Sequence, residues 1–377
     1  MSPTQVCYLI AGVGLVGTAA ISITSTLITP RGARSVVVRA LRWMIRTPYV
    51  ALARRVPDYR RRDRLLAPIG PVLLLSQLGA WLALCVVGFA LVDMALSPLG
   101  FGDALREAGS ALLTIGYAQP ANDSTVAVDF VAAATGLTVI ALMISYLPTL
   151  YGAYNRRETE VTLLQSRAGL PAWGPELLAR HELVDLVDSL PDLYKDWERW
   201  AADLAESHTN YPILVHFRSP KPMRSWVIAV LAVLDSAALY LARCPGGAPS
   251  EARLCMRMGF ICLRDLASVM NIEYDADPHP DGPLDLTYED FADAWKRLDA
   301  VGFRAEREME EAWPHFRGWR VNYEAIAYRL ADLTDAPPAL WSGPRHGHEE
   351  PIPPVRPVDR KPGDEPDVEA FGGDPVR

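Results

Sequence analysis

The chain is poor in cysteine and carries no recognisable catalytic signature. Of its five cysteines, Cys7 and Cys85 fall inside apolar stretches, and Cys255 and Cys262 would lie about two helical turns apart, beyond disulfide reach. Nothing points to a disulfide framework or to close zinc-ligand spacing. Cys244, Cys255 and Cys262 read instead as small buried hydrophobes of a reducing compartment. There is no glycine-rich nucleotide loop, nucleophile elbow or paired-carboxylate motif, so the expectation is no enzyme, no catalytic residue, no resident metal and no cofactor. Basic side chains are also missing before Val6, where an export signal would carry them, so the first apolar run is expected to be retained.

Charge is absent from three long stretches, Val6–Ile28, Leu65–Val92 and Phe130–Tyr154. Each is long enough to cross a hydrocarbon core of roughly 30 Å at about 1.5 Å per residue. Three transmembrane helices are therefore expected. Between the first two lie eleven arginines, from Arg31 and Arg34 to Arg64, opposed only by Asp58 and Asp63. The positive-inside rule puts that loop in the cytoplasm and the N-terminus outside, and Arg156 and Arg157 are expected to mark the cytoplasmic end of the third span. Within the loop, Arg39, Arg42 and Arg46 share one helical face opposite Val37, Leu41 and Met44. That pattern suits an interfacial helix resting on anionic lipid, and Pro48 is expected to cut it short.

Between spans two and three, Asp103–Thr114 reads as a short helix, followed at once by Ile115, Gly116, Tyr117 and Ala118. Span, short helix, extended strip and span is the order of a re-entrant loop, the arrangement in which non-helical backbone at membrane depth lines an aqueous path. Thr114-Ile115-Gly116-Tyr117-Ala118 resembles the Thr-Val-Gly-Tyr-Gly selectivity filter of the potassium-channel pore family, in its bacterial two-transmembrane form with an added N-terminal span. The resemblance implies a filter in which backbone carbonyls replace the water shell of K+, the expected permeant ion. It further implies Ser110 as a support behind the filter, Gly136 and Pro148 as gating positions in the third span, and a homotetramer, since one loop per chain cannot enclose a path. Gly116 suits a left-handed backbone, whereas Ala118, standing where the family has glycine, would meet a cost of roughly 1–2 kcal/mol in that conformation. Gln119 replaces a common acidic residue, and Arg106 and Glu107 replace bracing aromatics. Asp93, Asp103, Glu107, Asp123 and Asp129 would concentrate cations at the mouth or form a solvated surface. Gly12, Gly14 and Gly17 permit close helix approach by the first span.

From Glu158 onward the apolar spacing is helical, with segments expected at 177–190, 192–206, 225–243, 250–269, 288–313 and 321–333. Trp226–Ala242 is apolar enough for a fourth span but contains Asp235, so a helix buried in a soluble core is expected. His208–Pro220 with Ser225 and Trp226 resembles a stretch found beside pore domains in uncharacterised bacterial channel-like proteins. Around His279, the residues Asp275, Asp277 and Asp281 read as an acidic, proline-rich loop rather than a metal site. The organisation expected is therefore an all-α membrane protein: an N-terminal transmembrane helix (1–28), a basic linker (29–64), a pore domain with re-entrant helix and filter loop (65–157), an all-α cytoplasmic domain (158–335) and a disordered tail (336–377). Two functions remain open. One is a cation channel subunit of the plasma membrane, gated through an unknown ligand or protein at the cytoplasmic domain, with no nucleic-acid partner. The other is a membrane-anchored signalling or scaffold protein whose pore no longer conducts.

Overall fold

The computed structural model describes residues 1–29, 35–345 and 350–356. Among them the secondary structure is helical throughout, apart from one isolated bridge between Ala339 and Ile352. Two compact units emerge, one made of Met1–Leu52 and Pro68–Gly152, the other of Ala53–Ala67 and the described residues from Ala153 on.

The first unit contains α1 (Pro3–Leu27), α2 (Val36–Ala53, but for its last residue), α4 (Ile69–Leu96), α5 (Phe101–Leu112) and most of α6 (Asp123–Ala168); the intervening α3 (Tyr59–Leu66) belongs to the second unit. A capping box starts α1: Ser2 Oγ accepts the Gln5 N–H while the Gln5 side chain accepts the Ser2 N–H. It packs along α4 at a glycine crossing, where a Cβ added to Gly12 would lie 2.5 Å from the Gly88 carbonyl oxygen. Gly14 and Gly17 face open space, so only Gly12 serves this contact. Trp81 Nε1 on α4 donates to Ser22 Oγ on α1 at 2.8 Å, satisfying a buried indole. Large apolar side chains remain exposed on this unit, among them Ile10, Ile21, Leu75, Phe130, Leu137 and Ile144, the opposite of a water-facing helix bundle.

Among the described residues, four stretches are long and apolar enough to cross a membrane: Pro3–Leu27, Tyr59–Leu96, Asp123–Ala168 and Trp226–Arg243. The last of these is helix α9, described below, and protein encloses it: all its residues are buried. It is the central core helix of the second unit, as Asp235 suggested.

That unit is built from α3, the end of α6, α7 (Gly174–Leu183), α8 (Leu190–Asn210), α9 (Trp226–Arg243), α10 (Ser250–Met270), α11 (Tyr288–Asp299), α12 (Met309–Arg320) and α13 (Glu324–Leu333). Helices α7, α8, α10, α12 and α13 all pack on α9. The single helix expected over 288–313 is two, because residues 300–308 leave the helix and Gly302 takes φ +80°, a conformation open to glycine at little cost.

Pro48 does not end α2, which continues through it to Ala53. Arg156 and Arg157 do not mark a helix end, since α6 runs on to Ala168; Arg157 is buried in the core of the second unit, bonded to Glu158, His208, Leu214 and Phe217. The basic linker is divided: Arg62 and Asp63 are buried, pairing with Asp335 and Arg218. Arg31 and Arg34 lie outside the described residues. The disorder expected from residue 336 on does not hold at its start, for Ala336, Ala339 and Trp341 join the hydrophobic core. The rest of that expected tail, 346–349 and 357–377, lies outside the described residues. Cys85, Cys244, Cys255 and Cys262 are buried free thiols, whereas Cys7 is exposed.

Candidate functional site

Helix α5 is a short segment between two long ones, and one of its faces is covered. Ala104, Glu107, Ala108, Ser110 and Leu112 are buried. Its last turn meets α6 at Gly136, where an added Cβ would sit 1.9 Å from the Leu112 carbonyl oxygen. Close backbone approach therefore accounts for glycine at this position without invoking a hinge. Pro148 is exposed within α6, where it removes one helical hydrogen bond.

The strip after α5 is organised by Ser110. Its carbonyl accepts the N–H of Ile115 at 2.9 Å and of Gly116 at 3.5 Å, and its Oγ accepts the N–H of Ala118 at 3.1 Å. In a trans peptide the carbonyl points opposite the N–H of the same unit. The carbonyls of Thr114, Ile115 and Tyr117 consequently face away from Ser110. Left-handed residues alternate with others along the strip: Thr114 has φ +53° and Gly116 φ +73°, while Ile115 and Tyr117 are not left-handed. Ala118 is not left-handed either, so the strain expected there does not arise. It falls on Thr114, at roughly 1–2 kcal/mol, and the Thr114 hydroxyl donates to the Leu113 carbonyl at 2.8 Å. Ile115 and Tyr117 are 61 % and 59 % exposed in the single chain.

The five acidic residues expected at a solvated mouth separate into two sets. Asp103 and Asp123 are exposed. Asp93 on α4 and Glu107 on α5 are buried, and with Asp129 on α6 they bring carboxylate oxygens within 4.8 Å of one another. Two like charges about 4 Å apart repel by roughly 4 kcal/mol at an effective dielectric near 20. The only hydrogen bond to this group among the described residues is from the Ala121 N–H to Glu107 Oε1, at 3.3 Å. Sequence reading missed the cluster because three separate helices supply it.

On α2, Arg39 is exposed and Arg42 and Arg46 are half-buried, with Trp43 and Met44 exposed beside them. Charged and aromatic groups mixed in this way are typical of a membrane interface. In the second unit, buried His208 contacts Arg157, and burial together with that guanidinium holds its imidazole well below the usual histidine range. His279 and Asp281 are exposed.

Comparison with protein-family profiles, with curated proteins and with solved structures finds no match to this chain.

Proposed function

We propose that the chain is a subunit of a cation channel, in which Thr114, Ile115, Gly116, Tyr117 and Ala118 form a carbonyl-lined filter for potassium or, less selectively, monovalent cations. The observation that carries this reading is the strip anchored on Ser110, whose N–H groups turn inward and whose carbonyls at Thr114, Ile115 and Tyr117 turn outward. Carbonyl oxygens presented by a short strip replace the hydration shell of a cation without any charged side chain. The strip follows the C-terminal end of α5, where the helix dipole is negative and favours a cation nearby. Exposed Ile115 and Tyr117 are suited to packing against neighbouring copies, and four copies related by rotation close a ring.

In this reading the first unit lies in the plasma membrane with the N-terminus outside, α2 rests on anionic lipid through Arg39, Arg42 and Arg46, and the second unit is cytoplasmic and receives the gating signal. The test is potassium flux through purified protein in liposomes carrying a potassium gradient. Wild type should pass potassium, and Gly116→Asp, which puts a side chain and a charge on a φ +73° residue, should abolish flux while leaving the assembled oligomer intact. Equal flux from both proteins would place the path elsewhere, and no flux from either would favour a non-conducting scaffold.

A further inference from the structure

We propose that Asp93, Glu107 and Asp129 form a binding site for a divalent cation of the calcium class, joining α4, α5 and α6. Two observations carry this. The first is convergence: each residue offers one carboxylate oxygen, and the three lie within 4.8 Å of one another although they come from three helices. Oxygens on opposite sides of a calcium ion stand about 4.6–5.2 Å apart, at 2.3–2.6 Å each, so one ion can reach all three. The second is that Asp93 is fully buried and both its carboxylate oxygens lack any hydrogen-bond partner, as does the buried Oδ1 of Asp129.

A buried carboxylate without donors is unfavourable unless a cation or a proton neutralises it. No ion pair reaches any of the three among the described residues, and Arg106, on the same helix as Glu107, pairs with Asp103 instead. An all-carboxylate donor set selects hard cations such as calcium, manganese or magnesium over metals that prefer sulfur or imidazole. The site also has a structural consequence. Glu107 Oε1 holds the Ala121 N–H just beyond the Ser110-anchored strip, so an ion on Glu107 would tether the exit of that strip to α4 and α6. This holds whether or not the strip conducts.

The experiment uses full-length protein in detergent at neutral pH, stripped with EDTA and then titrated with Ca2+ or Mn2+. Bound metal is read by elemental analysis after gel filtration and by Mn2+ electron paramagnetic resonance, and stability by the thermal midpoint. Wild type should retain about one ion per chain, with a saturable rise of several degrees in midpoint. Asp93→Asn should weaken binding at least tenfold and lose the rise, while matching or exceeding wild-type stability in EDTA because it removes an unpaired buried charge. If Asp93→Asn does not fold, Asp129→Asn, at the more exposed ligand, carries the same expectation. The proposal is overturned if wild type binds neither ion and its midpoint ignores both, or if binding survives in a folded Asp93 or Asp129 variant.

Discussion

Buried charge is handled differently in the two units. In the second, Arg157, Arg243 and Arg320 are each at most 2 % exposed, and each meets a carboxylate: Glu158 at 2.7 Å, Asp299 at 2.5 Å and Glu324 at 2.5 Å. Backbone carbonyls add to these sites, as Trp341 does for Arg320 at 2.7 Å and Phe303 for Arg243 at 2.7 Å. Among the described residues of the first unit the buried charges are the carboxylates of Asp93 and Glu107, with Asp129 alongside, and no ion pair reaches them. The paired networks of the second unit favour one packing arrangement, although Glu158 Oε2 and Arg243 Nη1 are left without a hydrogen-bond partner. The difference is one of countercharge: each buried arginine of the second unit faces a carboxylate, whereas the carboxylates of the first unit face one another.

The largest break in this comparison should come from Arg320. Arg320 Nε and Nη groups reach Asp235, Glu324, Tyr328 and Trp341, so Arg320→Met strands two buried carboxylates. Removing one partner of a buried pair costs about 3–5 kcal/mol. Calorimetry should therefore find the transition of the second unit lowered by roughly 10 °C, while removing a charge from the acidic cluster in EDTA should not lower that of the first. A fall of only a degree or two for Arg320→Met would mean that water reaches the network.

A smaller effect sharpens the contrast through pH. His208 is buried and neutral in the fold, its imidazole held well below its ordinary value of 6.5 by desolvation and by Arg157. The unfolded chain binds this proton from about pH 6.5 downward and the fold does not, so stability is full above pH 6.5 and declines as pH falls below it. Between pH 6.5 and 5.5 the loss should be about 1 kcal/mol. Asp235, pushed up to about 6 by burial against the pull of Arg320, acts in the opposite sense, and His181, lowered by burial, in the same one. Comparing wild type with His208→Gln cancels both, and denaturant unfolding should give the variant the shallower pH slope. Parallel slopes would mean that His208 is solvated or protonated in the fold.

Much of this architecture was legible in the sequence because it rests on local pattern. Uncharged runs identified the three long apolar helices of the first unit, and helical spacing identified the helices around α9. The position of Thr114–Ala118 after a short helix drew attention to the strip, and Ser110, named one turn earlier, accepts hydrogen bonds from it. What the sequence concealed was burial. Arg62, Arg157, Asp93 and Glu107 read as surface or interfacial charges, since charge is visible in a sequence while its enclosure depends on partners such as Asp335, some 270 residues away. Composition likewise hid the packing of Ala336–Trp341, where prolines interrupt residues that nonetheless fill the core. The break between α11 and α12 was missed because apolar residues recur on both sides of it.

The central claim is that one strip from each of four chains forms a shared cation path, and mixing subunits tests it most directly. Wild-type and Gly116→Asp chains, co-expressed in equal amounts and purified as mixed rings, would be reconstituted in planar bilayers for current measurement. Random assembly of tetramers leaves roughly one ring in sixteen wholly wild type. The account predicts a potassium current reduced to about that fraction of the wild-type value. A current of half the wild-type value would mean that each chain conducts independently, and no current even from unmixed wild type would contradict the shared pore.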